Sequence, residues 1–399
     1  MRFSTLLCIL IISCQFANEQ PTEVIENDHK EVTTEIEKLF AASGISGMSV
    51  MVLQNGKRIF EHNAGFANIE KQQKYTSKSI QNIASVSKTL IAVSIMKAVD
   101  LDKVELDADI NQYLPFAVRN PNHPDVPITL RQLATHTSSI FDSDDYMRSY
   151  YFLNGEELTS TDFNEGYQEY LELIQQNELI DESQFLKNML KQDGPWASED
   201  VYAKEAPGQV NEYSNVAATL AAYVVEQATG TFYEDFTKEY IFKPLSMTNT
   251  FWDINTHSNP QFATKYFSKE MAVPDYYLIT KADGGLYTCT EDFSKFMLEM
   301  SKGFRGQGTL LSKDSYNTMF TPQFEEDGEA TGIFWELDPE NRSYNHSGGD
   351  PGVTTNVAYN SEKDISMIMF TNIEGTDETF GQIVDIWNAM KGVFKEQNE

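Results

Sequence analysis

Cysteine is scarce. The chain of 399 residues has three, Cys8, Cys14 and Cys289. No Cys-x-x-Cys or Cys/His spacing suited to zinc occurs, and the six histidines (His29, His62, His123, His136, His257 and His346) form no His-Glu-x-x-His. The sequence therefore predicts no metal, no cofactor and no disulfide framework. Positive charge is also in short supply: 30 Lys and Arg stand against 60 Asp and Glu, for a net charge of −30 and a pI of about 4.5. Such a polyanion repels phosphate backbones and anionic headgroups, which excludes a nucleic-acid role. No stretch reaches the ~18 uninterrupted apolar residues that a membrane span needs. Internal repeats and low-complexity segments are absent as well.

What is present begins at the N-terminus. Arg2 precedes a short apolar run, Leu6 to Ile12, which fits a signal peptide rather than a span. The run ends Ile11-Ile12-Ser13-Cys14, which resembles a bacterial lipobox. Residues 1–13 are read as a signal peptide, Cys14 as a lipidation site and residues 14–28 as a flexible tether. Cleavage near Ala17, discarding Cys14, is the alternative. The lipid-anchor reading makes the chain an exported protein of the periplasm or outer membrane, held to the membrane only by its anchor. Residues 29–399 form the folded part. They are long enough for one large or two modest cores, and 41% apolar and 12% aromatic residues can fill them.

Along that part, Asp28 is placed to cap a helix carrying Val32, Ile36, Leu39 and Phe40, which stops near Gly44. Two strand-like runs meet at Asn55-Gly56, a hairpin signal. Residues Val86 to Val99 are apolar nearly all round, the pattern of a buried helix. Pro115, Pro121, Pro124 and Pro127 break the stretch 101–135 into turns. Residues 141–206 hold 16 acidic and 4 basic residues, with Tyr146, Tyr150, Tyr151, Tyr167, Tyr170 and Tyr202. They are predicted to be mostly helical, as a solvated elaboration or as a cover over a cleft. Residues 216–229 form another apolar helix ended by Gly230. Two strands flank Ser361-Glu362-Lys363, and Phe380, Ile383, Ile386, Trp387, Met390 and Phe394 recur at helical spacing. This order predicts a sheet built from both ends of the chain, with a mostly helical insertion at about 85–275.

Three short motifs carry chemistry. In Ser85-x-x-Lys88, residues three apart share a helix face, so the lysine nitrogen can reach the serine oxygen and activate it as a nucleophile. In the first turn the Ser85 N–H is also free to hold an oxyanion. A second match, Ser94-x-x-Lys97, lies nine residues on and thus on the opposite face, mid-helix, where its N–H is already bonded. It is assigned to structure. Tyr213-Ser214-Asn215 offers a phenol that becomes a base when cations lie beside it. The Asn215 amide can hold Lys88 or a substrate carbonyl. His346-Ser347-Gly348-Gly349 offers a backbone edge that a substrate can approach closely, with the Gly349 N–H as a second oxyanion donor.

Taken in order, Ser85-x-x-Lys88, Tyr213-x-Asn215 and His346-Ser347-Gly348 resemble the three motifs of class C β-lactamases and their DD-peptidase and esterase relatives. The stretches 128–140, 207–215, 243–250, 282–296 and 346–352 resemble the same family, and the likeness covers about residues 30–395. It implies an α+β fold, an antiparallel sheet flanked by helices beside an all-helical part, with the site between them. It further implies that Ser85 is acylated, that Lys88 and Tyr213 share general-base work, and that the Ser85 and Gly349 N–H groups form the oxyanion hole. Asn215, His346, Ser347 and Gly348 would line the substrate site.

One departure narrows the expected substrate. His346 stands where dedicated β-lactamases of this class carry lysine, which favours an ester or a D-amino-acid peptide over a β-lactam. An imidazolium at this position would be lost as pH rises above ~6.5, and activity should fall with it if that cation aids catalysis. Ser139 and Ser246 replace glycines common in relatives, with effects expected on turns. His136 is read as a hydrogen-bonded structural histidine. The alternatives are a β-lactamase, and a non-catalytic module binding cell-wall peptides or a partner on the same fold.

Overall fold

In a computed structural model of the chain, residues 29–153, 165–253, 261–326 and 329–394 are described. The expected signal peptide, Cys14, the tether and Asp28 lie outside them. Helix α1 (Lys30–Ala41) starts from His29, whose side chain makes no cap, and buries Val32 and Ile36. Strands β1 (Gly47–Gln54) and β2 (Lys57–Asn68) follow. Asn55 (φ 51°) and Gly56 (φ 78°) both take positive φ between them, the geometry that Asn-Gly favours in a two-residue hairpin. Seven of the eight β1 residues are buried, because both faces of this central strand are covered. Its sequence is accordingly apolar on both faces rather than alternating, with Ser49 the one buried polar residue, hydrogen-bonded to Thr290.

A short strand, β3 (Gln73–Lys74), ends the N-terminal part of the sheet. The C-terminal part supplies β4 (Phe324–Glu326), β5 (Glu329–Thr331), β6 (Glu336–Asp338), β7 (Ser343–Asp350), β8 (Val353–Asn360) and β9 (Ile365–Thr371). The nine strands run β4-β5-β6-β7-β8-β9-β1-β2-β3, and every neighbouring pair is antiparallel. The β1–β9 ladder, from Met48 opposite Thr371 to Gln54 opposite Ile365, joins the two ends of the chain. Val50, Val52, Met367 and Met369 pack on one face with α1 and the C-terminal helix α5 (Asp377–Met390). Met51, Leu53, Ile368 and Phe370 join the larger core on the other.

That larger core belongs mainly to the segment between β3 and β4. Helix α2 (Lys88–Asp100) is buried over most of its length and packs against α3 (Asn215–Thr229). Gly230, at φ 67°, closes α3 with the left-handed cap that glycine allows. Helix α4 (Thr290–Phe304) lies against β1 and β9. The segment is less uniformly helical than expected and longer, because the sheet resumes only at Phe324. Tyr150–Phe152 pairs with Tyr276–Leu278, and Tyr266–Ser268 with Met271–Ala272. Tyr and Phe favour strands, and they set these short pairs, of which only Tyr150–Phe152 lies in the acidic stretch 141–206. At the C-terminus, Ile383, Ile386 and Met390 are buried as expected, but Phe380 is 54% exposed, a correction to the expected apolar face. Among the described residues no helix is long and apolar enough to cross a membrane.

Candidate active site

From Ser79 to Met96 every residue is buried except Ser85, which is half-buried. Ser85 lies in a 3₁₀ turn, Ala84–Ser87, that leads directly into α2. The turn is strained, since Ala84 sits at φ 48°, a left-handed conformation that alanine disfavours by about 1–2 kcal/mol. Two side chains hold it. The Asn82 Oδ1 accepts from the Ala84 N–H at 2.7 Å, while Asn82 Nδ2 donates to the Gly284 carbonyl. Ser87 Oγ accepts from the Leu286 N–H. Ser94, one of the competing pair, donates instead to the Leu90 carbonyl inside the helix, and Lys97 reaches the Leu310 carbonyl.

Lys88 is fully buried. Its Nζ donates to Ser85 Oγ at 3.1 Å, to Asn215 Oδ1 at 2.7 Å and to the Asp283 carbonyl at 2.6 Å. All three hydrogens of an ammonium are thereby taken, by neutral acceptors. Of the two partners expected for Asn215, the structure gives it Lys88. Its Nδ2 is committed elsewhere, to Asp142 at 2.9 Å. The Tyr213 ring lies beside the same nitrogen, 4.9 Å from centroid to Nζ, and Tyr213 is 43% exposed.

The loop before α3 is shaped by residues 135–142. His136 stacks on Tyr213 with ring centroids 4.5 Å apart, and its Nδ1 accepts from the Ser214 N–H. Burial, then the charge of Lys88, push the His136 imidazole down to about 3. It is therefore a neutral, hydrogen-bonded support. His136 (φ 56°), Ser139 (φ 63°) and Ser246 (φ 55°) all occupy left-handed turn positions, where glycine is the residue of least strain.

The third motif lies on β7. Ser347 and Gly349 face outward and are exposed, while His346 and Gly348 are buried. A Cβ on Gly348 would stand 2.6 Å from the Ile83 carbonyl oxygen and 3.0 Å from the Ser85 nitrogen, so only glycine lets β7 lie this close to the Ser85 turn. Pro351-Gly352 closes a two-residue hairpin to β8, with Asp350 opposite Val353. The alternation of an antiparallel ladder then turns the N–H groups of Gly349 and Ser347 away from β8. On that side β6 pairs only as far as Asn345.

His346 corrects an expectation. Its Nδ1 lies 2.7 Å from the Ser347 carbonyl, which can only accept, so Nδ1 carries the hydrogen. Burial first, and the charge of Lys88 second, lower the imidazole to about 4, against the opposing effect of that hydrogen bond. His346 is neutral at neutral pH, and no activity limb in the ordinary histidine range can come from it. A ¹H–¹⁵N titration should show the neutral His346 pattern persisting down to about pH 5. A midpoint near the model-histidine value of ~6.5 would refute the assignment.

Further residues of the site were missed from the sequence. Asp142 accepts four hydrogen bonds from Ser214, Asn215 and Val216. Asp283 holds Lys88 through its carbonyl, while its carboxyl, raised to about 7 by burial, accepts from Tyr146 and Thr219. Asp350, raised to about 6 by burial, takes the hydroxyls of Tyr150 at 2.6 Å and Tyr276 at 2.8 Å. Tyr150, from the acidic segment, and Tyr276 thus brace the tip of β7. Among the described residues no group of three or more His, Cys, Asp or Glu could hold a metal ion.

The sequence profile of the Beta-lactamase family matches residues 32–386. The chain belongs to this family. Members of the β-lactamase family are serine hydrolases, and the fold described above is the β-lactamase/transpeptidase fold. Protein flp of Staphylococcus aureus is 21% identical over 357 residues, 88% of this chain, but the chain spans only 64% of that relative's length. The octameric penicillin-binding protein homologue from Pyrococcus abyssi superposes with a TM-score of 0.73 at 22% identity, covering 92% of this chain and 78% of that one. A class C β-lactamase from Rhodobacter sphaeroides gives 0.66 at 18% identity, over 90% and 99%. At these identities the two structures share the β-lactamase-family fold with this chain.

Proposed function

We propose that the chain is an active-site serine hydrolase that forms an acyl-enzyme on Ser85, acting on an ester or a D-amino-acid peptide. The observation that carries this reading is Lys88 Nζ at 3.1 Å from the only accessible side chain between residues 79 and 96. Ser85 Oγ attacks the carbonyl carbon, and its proton passes to the Lys88/Tyr213 pair, which share the general-base work. The tetrahedral oxyanion is held by the N–H groups of Ser85 and Gly349. Its collapse expels the alcohol or amine, which takes the proton. Water then attacks the acyl-enzyme and frees Ser85.

The neutral imidazole of His346 bears on substrate. A carboxylate next to the scissile bond, as in a penicillin or at the free end of a D-Ala-D-Ala peptide, gains little from an uncharged neighbour, whereas an ester needs no cation there, so the neutral imidazole favours the ester arm of the reading. Ser347, exposed on the same edge, supplies a hydroxyl for a substrate carbonyl or carboxylate. The reading includes export, with residues 1–13 as signal and Cys14 as lipid anchor in the periplasm or outer membrane, supported by the residue pattern alone.

The test uses protein beginning at Cys14, treated with a fluorophosphonate and mapped by peptide mass spectrometry, followed by a panel of esters, D-Ala-D-Ala peptides and nitrocefin. Label is expected on the Ser85 peptide, with turnover of esters or D-peptides exceeding that of nitrocefin. Absence of label on Ser85 would sink the proposal, and nitrocefin as the best substrate would move it to a β-lactamase.

A further inference from the structure

We propose that Asp142 is a positioning residue that decides which end of the Asn215 amide faces Lys88. The claim rests on the reading that Lys88 serves Ser85. Each Asp142 oxygen accepts two hydrogen bonds. Oδ1 takes Ser214 Oγ at 3.1 Å and the Val216 N–H at 2.9 Å. Oδ2 takes the Asn215 N–H and Asn215 Nδ2, both at 2.9 Å. Two of these donors are first-turn N–H groups of α3, which lack partners inside the helix and favour a negative charge. The carboxylate is thus pinned over the start of α3 with its lone pairs filled.

The consequence falls on Asn215. The two ends of an amide have nearly the same shape, so the hydrogen-bond network alone decides its orientation. With Nδ2 donating to a carboxylate, Oδ1 must face the other way, and there it accepts from Lys88 Nζ at 2.7 Å. Turning the amide over would set an oxygen against the Asp142 carboxylate and an NH₂ group against the lysine donor. Both contacts would become repulsive. Asp142 therefore acts on Lys88 through Asn215, without touching either Lys88 or Ser85. In the sequence it is one of three aspartates in Asp142-Ser143-Asp144-Asp145, with nothing to separate it from a solvated charge run.

A double-mutant cycle tests this on the labelling rate of Ser85. Asp142→Ala and Asn215→Ala should each slow labelling, Asp142→Ala by about 10- to 100-fold, the range that misplacement at an active site produces. In the Asn215→Ala background, Asp142→Ala should slow it no further, because its target is gone. A helix-capping role alone would instead multiply the two losses, and multiplied losses overturn the proposal. If Asp142→Ala does not fold, Asp142→Asn replaces it. It keeps the shape but turns one acceptor into a donor, and the same non-additivity is expected. Wild type that takes no label refutes the proposed function instead. The crystal structure of the Asp142 variant then decides: loss of the 2.7 Å Lys88–Asn215 contact supports the role, and its persistence overturns it.

Discussion

Lys88→Ala is expected to slow acylation of Ser85 by about 10²- to 10⁴-fold, the range that a positioned proton-transfer group contributes. The chain should nevertheless fold. Lys88 is fully buried and its three acceptors are a hydroxyl, an amide oxygen and a backbone carbonyl, with no carboxylate among them. Removing the side chain leaves acceptors unpaired at about 1–3 kcal/mol each. It also removes a desolvated charge whose burial costs several kcal/mol. The two changes oppose each other. Loss of rate without loss of fold, followed by stopped-flow labelling and thermal unfolding, separates a chemical role from a packing one. A second readout comes from His346. The Lys88 charge is the second cause, after burial, of its fall to about 4. Without that charge an imidazolium is less disfavoured, so His346 should titrate at a higher pH in the variant than in the wild type. An acylation rate within tenfold of wild type would show that Lys88 does not bear on Ser85 as its geometry implies, and an unmoved His346 titration would show that its charge does not act on His346.

The residues that could be read from the sequence are those whose chemistry is local. Ser85 and Lys88 share one turn, Tyr213 and Asn215 one loop, and His346 to Gly349 one strand, so spacing alone brings each set together. Helix periodicity also separated Ser94, and the Ser94 hydroxyl is indeed spent inside α2. The central strands were legible for a related reason: β1, β8 and β9 are long, and burial imposes a pattern on them. The strands β4, β5 and β6, at one end of the sheet, have three residues each, in an acidic stretch with no pattern to see.

What stayed hidden acts over long sequence separation or through the backbone. Asp283 holds Lys88 by a carbonyl that any residue would supply. Asp350 is satisfied by Tyr150 and Tyr276, 200 and 74 residues away. Ala84 takes a positive φ that nothing in alanine announces. The state of His346 belongs to this group too. Residue type suggested a titrating cation, but burial and a neighbouring lysine, neither visible in a motif, make it neutral.

Gly348→Ala should reduce acylation by about 10²- to 10³-fold, the effect of losing one oxyanion donor. The added Cβ would stand 2.6 Å from both the Ile83 carbonyl oxygen and Thr355 Oγ1, and 3.0 Å from the Ser85 nitrogen. Real Cβ atoms do not tolerate the first two separations. Thr355 cannot simply swing aside, because its hydroxyl donates to that same Ile83 carbonyl at 2.8 Å. Relief must come from the backbone, by β7 retreating from the Ser85 turn or by the turn retreating from β7. Either motion changes the spacing between the Ser85 N–H and the Gly349 N–H. Oxyanion donors work only when both lie about 2.7–3.1 Å from the developing charge, so a shift of a few tenths of an ångström disables the pair. Overpacking of this kind should also cost about 1–3 kcal/mol of stability. Gly349→Ala is the control for that second effect, since its Cβ would meet nothing within 4 Å, and its melting temperature should match the wild type. Thermal unfolding of both variants, with labelling rates for Gly348→Ala, tests the argument. A Gly348→Ala protein that acylates at the wild-type rate would show that the close approach of β7 to Ser85 is incidental to the chemistry.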